Sequence, residues 1–236
     1  MSDKKIKNRI VRWLPQDQMS EAFINSAFLA ISGGWQDAYT YFARGKVFSN
    51  AQTGNVVLMS FNFINGDFVA GVKYLLPFLA FGLGVFIAEN INYRYKTMSK
   101  IHWRQLVLII EMILLTFVGF LPHSLDFVAT ITVSLSCAMQ VQTFRKVSGY
   151  AYASTMCIGN LRSGVSVLSA YIRDRKPVQL RQTLNYFGVI FAFAIGAGLG
   201  GYFSQKYGIH VIWLSVVYLM ISFAIMSFEK LKNDEK

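Results

Sequence analysis

Apolar segments long enough to cross a bilayer recur along the chain, and they constrain its fold more than any other feature. A helix needs about 20 predominantly apolar residues to cross roughly 30 Å of hydrocarbon. Charged residues make up 15% of this chain, against about a quarter in soluble domains. We divide the sequence into eight apolar segments at about residues 22–43, 53–66, 72–92, 104–121, 126–144, 151–171, 184–204 and 209–228. The pattern predicts an all-α, polytopic membrane helix bundle.

Two of these segments differ from regular spans. Segment 53–66 is short, and segment 151–171 is interrupted by Gly159, Asn160 and Arg162. If the other six segments span and the N-terminus is inside, 19 of the 23 Lys and Arg residues lie inside. If all eight span, only 13 lie inside. Because inside loops carry an excess of Lys and Arg, we expect about six full spans plus two broken or re-entrant segments.

The chain also resembles two copies of one pattern. Residues 50–55 read Asn-Ala-Gln-Thr-Gly-Asn, and residues 155–160 read Thr-Met-Cys-Ile-Gly-Asn. Three spans in each half would make the second half enter from the opposite face. We therefore expect an inverted repeat, with repeat 1 at about 21–121 and repeat 2 at about 126–228. An eight-span parallel repeat is the alternative.

The ends of the chain complete the expected topology. Residues 1–20 are polar and basic, and we interpret them as a cytoplasmic segment that precedes a retained first span. Residues 229–236 are expected to be a cytoplasmic tail. The membrane domain would then occupy residues 21–228, with both termini in the cytoplasm.

Composition and motifs argue against several classes of function. The net charge of +11 is explained by topology and contact with anionic lipid, so we expect no nucleic-acid partner. Cys137 and Cys157 both lie in apolar segments, without zinc or disulfide spacing. Hydrolase, P-loop and zinc-protease signatures are missing from the sequence. We expect no enzymatic activity, cofactor or metal.

Asp37 is the sharpest functional candidate. It lies late in the first apolar segment, next to Gln36. A charged side chain at membrane depth costs about 2.5–3.5 kcal/mol on insertion scales, which makes such a residue a functional hypothesis by default. Asp37 could bind or couple an ion. Alternatively, it could pair structurally with Arg44 or Lys46.

The two Gly-Asn turns form the second constellation. Glycine permits unusual backbone angles, and Thr and Asn can cap a helix start. A helix that begins there would direct N–H groups and a positive dipole end at the bundle interior, as suits an anionic or polar ligand. Ordinary capping is the alternative. These turns contribute Gln52, Thr53, Gly54, Asn55, Gly159 and Asn160 to the candidate site.

Three more polar residues fall within apolar segments. Gln142 stands as far before Asn160 as Asp37 stands before Asn55, and Gln140 lies nearby. Their amides could bind a substrate or cross-link helices. Glu111 could couple a proton or pair with a basic residue such as Arg162.

These observations favour a transporter of a small molecule or ion, with a midplane site between the two repeats. The alternative is a non-transporting assembly or lipid-interacting membrane protein. Membrane lipid is an expected partner in either case, and homo-oligomerisation stays open.

Two runs are distinctive: residues 33–38 read Gly-Gly-Trp-Gln-Asp-Ala, and residues 47–55 read Val-Phe-Ser-Asn-Ala-Gln-Thr-Gly-Asn. In these runs, and over about residues 20–228, the chain resembles the YoaK family of bacterial multi-pass membrane proteins. Relatives tend to have Gly-Met-Gln-Asn where this chain has residues 138–141, and a second Thr-Gly-Asn where it has residues 158–160. The resemblance implies a bacterial cytoplasmic-membrane location. It implies no reaction, because the function of that family is unknown.

Overall fold

The protein is a bundle of eight α-helices in the described residues, and one helix corresponds to each of the eight apolar segments. The computed structural model describes residues 21–96 and 102–234, so the basic segment 1–20 lies outside the described residues. The α-helices in chain order are α1 Phe23–Ala43, α2 Gln52–Ile64, α3 Phe68–Tyr95, α4 Trp103–Phe120, α5 Asp126–Thr143, α6 Cys157–Asp174, α7 Pro177–Tyr207 and α8 Ile212–Asp234. Helix α8 continues beyond residue 228, where the tail was expected to begin.

Four stretches of the described chain are long and apolar enough to cross a membrane. They are Phe68–Tyr95, Trp103–Phe120, His123–Thr143 and Pro177–Ser227, the last of which joins α7 and α8. Helix α2 has 13 residues, which is too short for a span. Helix α1 has 21 residues, but polar side chains such as Ser32, Gln36 and Asp37 lower its hydropathy. The helical membrane fold is confirmed at this level, and the number of full spans stays a prediction.

Close packing between α1 and α7 depends on glycine. A Cβ added at Gly34 would meet the backbone of Phe193 and Ala197, and a Cβ at Gly196 would meet the Ile31 backbone. Small residues let helix backbones approach closely in lipid, where no hydrophobic force drives helices together. The small-residue stripes therefore build an interface between the first and seventh helices.

The contacts along this interface also give its direction. Phe23 lies against Gly188, Trp35 against Gly200, and Phe42 against Gly201. Residue numbers rise together on both sides, so α1 and α7 run parallel.

A second parallel pair consists of α3 and α5. A Cβ at Gly84 would meet Leu135 and Ala138. Further along, Gln142 donates a hydrogen bond of 2.6 Å to Glu89. The third and fifth helices thus pair in the same way as the first and seventh.

Arg44 joins the helix ends at one end of the bundle, which we call the Arg44 end. Its guanidinium is buried and donates to Asp126 at 2.8 Å and to the carbonyls of Val118 at 2.9 Å and Leu121 at 2.8 Å. These contacts satisfy carbonyls at the C-terminus of α4. Asp126, in the short connection between α4 and α5, is only partly exposed and pairs with this buried cation.

Glu21 marks the opposite end, which we call the Glu21 end. Its carboxylate accepts a hydrogen bond from Arg104 at 3.1 Å, at the start of α4. Its carbonyl accepts the backbone N–H of Ser148 at 2.7 Å. Ser148 lies in the turn between two short strands, Lys146–Val147 and Tyr150–Ala151. The hairpin and the loop at residues 152–156 precede α6, which therefore begins at Cys157 and not near residue 151 as predicted.

Candidate functional site

Asp37 anchors the loop that leads into α2. Its Oδ1 atom accepts the backbone N–H groups of Ser49 and Asn50, both at 2.9 Å, and the Ser49 hydroxyl at 3.3 Å. Asp37 as a residue is 8% exposed. Arg44 binds Asp126, and among the described residues no ion pair within 4.0 Å joins Asp37 to Arg44 or to the exposed Lys46. Asp37 instead ties the middle of α1 to the residues that precede α2.

Glu111 lies at the centre of a buried polar cluster. Its Oε1 accepts the Gln36 amide at 3.3 Å, and the same amide donates to Ser32 at 3.0 Å and Ser215 at 3.2 Å. All of these side chains are fully buried. Three acceptors compete for the two amide hydrogens of Gln36, so they cannot all be satisfied at once. The cluster can therefore exchange hydrogen bonds between α1, α4 and α8.

Hydrogen bonds connect Glu111 to Asp37, and we call this connection the polar chain. The Cys137 thiol donates to Gln36 Oε1 at 2.8 Å and lies 3.6 Å from the Ser49 hydroxyl. That hydroxyl in turn donates to Asp37. The polar chain thus runs Glu111, Gln36, Cys137, Ser49, Asp37, and it brings together three predicted site residues.

The expectation that Glu111 pairs with Arg162 is wrong. Arg162 lines a separate surface cavity with Gly159 and Tyr186. Among the described residues, no hydrogen bond of ordinary geometry reaches Glu111 Oε2, although the Ser136 hydroxyl is a neighbour. A buried carboxyl without a cationic partner is costly, which keeps Glu111 a candidate site residue.

Two loops meet at Gly33, midway along α1. The Asn50 amide in the first loop donates to the Gly33 carbonyl at 3.1 Å. Thr155 in the second loop lies so close that a Cβ on Gly33 would collide with its methyl group. Asn50 precedes α2 and Thr155 precedes α6, so both helices start beside the same point of α1.

Asn55 and Asn160 hold these loops by the same geometry. Asn55 accepts the N–H of Phe48 at 3.3 Å and donates to its carbonyl at 2.7 Å. Asn160 does the same with Ala153, at 3.2 Å and 2.7 Å. We call these the asparagine clamps. Neither α2 nor α6 has a side-chain N-cap hydrogen bond, so the expectation that Thr and Asn cap these helices is wrong.

The remaining turn residues have different surroundings. Gln52 donates to the Ser49 carbonyl at 2.8 Å and accepts from Asn55 at 2.9 Å, so it reinforces the first clamp. Gly54 lies next to the Phe48 ring, and a Cβ at Gly159 would enter open space.

Thr53 and Ile158 lie on exposed apolar faces. Thr53 precedes exposed Val57 by one helical turn, and Ile158 is 78% exposed. Both side chains therefore lie at the surface of the bundle and not among the buried loop contacts.

The two candidate glutamines, Gln140 and Gln142, lie in different surroundings in the structure. Gln140 is fully buried and donates to the Leu29 carbonyl at 3.1 Å and to the Ser154 hydroxyl at 3.0 Å. It therefore cross-links α1, α5 and the second loop. Gln142 binds Glu89 at a partly exposed position, so it does not reproduce the loop contact of Asp37.

The groups around Gly33 are mainly amides, hydroxyls and backbone carbonyls, which donate and accept hydrogen bonds. In the described part of the chain, no group of three or more His, Cys, Asp or Glu side chains is arranged to hold a metal ion. Near Gly33, three buried polar atoms of described residues lack hydrogen-bond partners: Asn50 Oδ1, Gln140 Oε1 and Thr155 Oγ1. Such atoms are costly unless something binds them.

Comparison with known proteins identifies the family. A family model described as a protein of unknown function, DUF1275, matches residues 26–225. The chain belongs to this family. The chain is also similar to the UPF0700 transmembrane protein YoaK of Bacillus subtilis (strain 168), to which it is 24% identical over 215 residues. The match covers 87% of this chain and 93% of that protein. No solved structure matches.

The predicted membership of a YoaK-like family is therefore confirmed. With its apolar helices, this DUF1275 protein is an integral, multi-pass membrane protein.

Several site residues of this DUF1275 protein were missed by sequence reasoning. They are Ser32, Ser49, Asn50, Cys137, Thr155 and Ser215. Serine is common in membrane helices, and only the spacing of Ser32 and Gln36, one helical turn apart, indicated a shared polar face.

Proposed function

We propose that this DUF1275 protein transports a small polar molecule or an ion through a midplane site beside Gly33. The observation that carries the proposal is the meeting of the two loops at that residue. Short helices that start within a bundle, in corresponding parts of two halves, are a mark of transporter binding sites. Non-helical backbone at membrane depth requires burial in protein or a wet cavity.

The asparagine clamps support an internal repeat. Asn55 binds Phe48 and Asn160 binds Ala153 with the same pair of hydrogen bonds. The packing between the halves follows the same rule in both directions. The first helix of the first half, α1, packs against α7 of the second half, and the first helix of the second half, α5, packs against α3 of the first half.

The positions of the helix ends support six full spans, with the two loops entering the bundle from opposite faces of the membrane. The loop after α1 starts at the Arg44 end, where Lys73 of α3 also lies near Gly45. The loop after α5 starts at the Glu21 end, where Ser148 binds Glu21. Each short helix would return to the end from which its loop entered. This makes α2 and α6 re-entrant and the halves inverted, with both termini on the cytoplasmic side.

Glu111 is the better candidate for ion coupling, because Asp37 already accepts three donors. In this proposal Glu111 takes up and releases a proton or binds a cation, and the polar chain transmits the change to the first loop. Gln36, Gln52, Asn55, Gln140 and Asn160 position the loops, and the free polar atoms of Asn50 and Thr155 face the substrate.

Cysteine accessibility tests the position of the loops. Ala51 and Met156 are exposed residues directly before α2 and α6. In a Cys157→Ser background, Ala51→Cys and Met156→Cys are labelled with a membrane-impermeant thiol reagent in vesicles of both orientations. We expect reaction from opposite faces. Reaction from one face would overturn the inverted repeat, and protection at both positions would favour the non-transporting alternative.

Transport itself is tested in proteoliposomes with a pH-sensitive dye inside. The vesicles are challenged with amino acids, small sugars, carboxylates and inorganic ions. A substrate that drives proton movement in the wild type and not in Glu111→Gln supports coupling at Glu111. Absence of flux for every compound, with correctly folded protein, would count against transport.

A further inference from the structure

A basic cavity lies at the Glu21 end, apart from the polar chain. It has a volume of about 400 Å³ between the end of α3, the start of α4 and the end of α5. Its lining is Asn92, Lys96, His102, Trp103, Arg104, Thr143, Arg145 and Lys146. Four of these side chains carry a positive charge, and no carboxylate of the described residues lines the cavity.

The nearby acids leave much of this charge uncompensated. Arg104 pairs with Glu21 at 3.1 Å, and Arg145 lies only loosely against Glu89 at 3.9 Å. Lys96 and Lys146 are exposed at the rim, and neither has an ion pair among the described residues within 4.0 Å. The cavity therefore favours a bound anion.

A buried hydroxyl provides a second observation. Thr143 is 2% exposed, lines the cavity, and has no hydrogen-bond partner for its Oγ1 atom among the described residues. A threonine hydroxyl that is shielded from water without a partner costs free energy. It can donate to an anionic oxygen, and the surrounding cations would hold that oxygen in place.

We propose that this cavity binds a phosphate-bearing anion. The residues at its rim end apolar helices and therefore lie where lipid headgroups are found. Basic pockets between membrane helices at such positions suit anionic headgroups. Arg104 and Arg145 would hold the phosphate oxygens, Lys96 and Lys146 would supply longer-range attraction, and Thr143 would donate a hydrogen bond.

His102 offers a direct readout. Burial, followed by the positive charge of Arg104, lowers the pKa of His102 below its ordinary value. A bound anion opposes the effect of Arg104, so it should raise the pKa of His102. The chain has three histidines, and His123 and His210 lie at the Arg44 end, where they serve as internal references.

The experiment uses full-length protein in a neutral detergent, with labelled histidine followed by NMR across pH. The probes are inorganic phosphate, short-chain phosphatidylglycerol and phosphatidylcholine of the same chain length. A rise in the pKa of His102 with both phosphate and phosphatidylglycerol supports a general phosphate site. A rise with phosphatidylglycerol alone assigns the site to an anionic lipid headgroup. No rise with either probe, or an equal rise with phosphatidylcholine, would overturn the proposal.

Two variants sharpen the test. Arg145→Gln combined with Lys146→Gln should weaken binding about tenfold or more, as expected for the loss of charge-assisted hydrogen bonds. Thr143→Val removes the hydroxyl at nearly constant shape and should also weaken binding. Lys206→Gln changes a cation at the Arg44 end and should have no effect. Unchanged binding in the first two variants would show that the cavity is not the site.

Discussion

Asp37 Oδ1 lies 2.9 Å from the backbone nitrogen of Asn50, and this hydrogen bond attaches the start of α2 to the middle of α1. The same oxygen accepts the backbone N–H of Ser49. A carboxylate that accepts several backbone donors fixes a loop in one position. Asp37 therefore acts first as an anchor, whatever further part it takes in transport.

Replacement of Asp37 should lower the free energy of unfolding, and the loss should be smaller when the new side chain can still accept a hydrogen bond from the loop. Asp37→Ala removes every acceptor and should destabilise the protein by about 2–3 kcal/mol. Asp37→Asn keeps one acceptor oxygen and should cost less. Thermal unfolding in detergent measures both, with Asp174→Asn on the exposed end of α6 as the control. Loss of transport in Asp37→Asn without any change in stability would contradict the anchoring role.

The asparagine clamps should be of similar strength. Asn55→Ala and Asn160→Ala each leave a backbone N–H and a carbonyl without their partner, which should cost about 1–3 kcal/mol. Asn62 is the matched control, because its side chain only donates to the Leu58 carbonyl of its own helix. We expect Asn62→Ala to be nearly neutral. Limited proteolysis should become faster at residues 44–51 in Asn55→Ala and at residues 144–156 in Asn160→Ala. If only one of the two variants shows this effect, the clamps are not equivalent.

Two glycines of α7 should respond oppositely to alanine. Gly196→Ala places a methyl group against the Ile31 backbone, where neither side can yield easily, and overpacking of this kind costs about 1–3 kcal/mol. Gly198→Ala meets nothing within 4 Å. It should be neutral or stabilising by up to about 1 kcal/mol, because alanine favours the helix. Equal melting temperatures for the two variants would mean that α1 and α7 are not closely packed.

Protonation of His102 should make the protein less stable in mild acid. Its Nδ1 accepts the backbone N–H of Arg104 at 3.3 Å, and a protonated ring loses this acceptor. Because burial and Arg104 lower the folded-state pKa of His102 below 6.5, the unfolded chain takes up the proton first as pH falls. Stability contributed by neutral His102 is therefore present above about pH 6.5 and is lost as pH falls towards the lowered pKa.

His102→Asn isolates this effect, since asparagine can cap the helix without titrating. We expect this variant to flatten the decrease in melting temperature below pH 6.5, measured in phosphate-free buffer. His123→Asn, at an exposed position beside Asp126, should keep the decrease. An unchanged profile in His102→Asn would assign the pH dependence to another group.

Local features of the sequence were sufficient for the helices and the equivalent turns. The thickness of the hydrocarbon layer sets how many apolar residues a span needs, and that number can be counted in the sequence. Helix bounds such as those of α4 and α5 therefore fall within a few residues of the predicted segments. The similar stretches at residues 50–55 and 155–160 also marked Asn55 and Asn160, the two positions that share one geometry.

Contacts between distant residues could not be predicted in this way. The sequence places Glu111 and Gln36 in separate apolar segments, and neither hydropathy nor spacing distinguishes Gln36 from Arg162 as its partner. The sequence likewise does not pair Asp126 with Arg44, which is 82 residues away and reaches it from the end of α1. Thr53 appeared functional because it adjoins Gly54 and Asn55, but its side of the helix is the exposed one.

The sequence by itself thus determined that this chain is a helical membrane protein with two interrupted segments, since the lipid solvent requires apolar length and internally satisfied backbone. Only the tertiary structure decided that both interrupted segments begin beside Gly33 and that Glu111 is joined to Asp37 through Gln36, Cys137 and Ser49. Those relationships depend on which faces of α1, α4, α5 and α8 pack together, and small residues on several helices set that packing jointly.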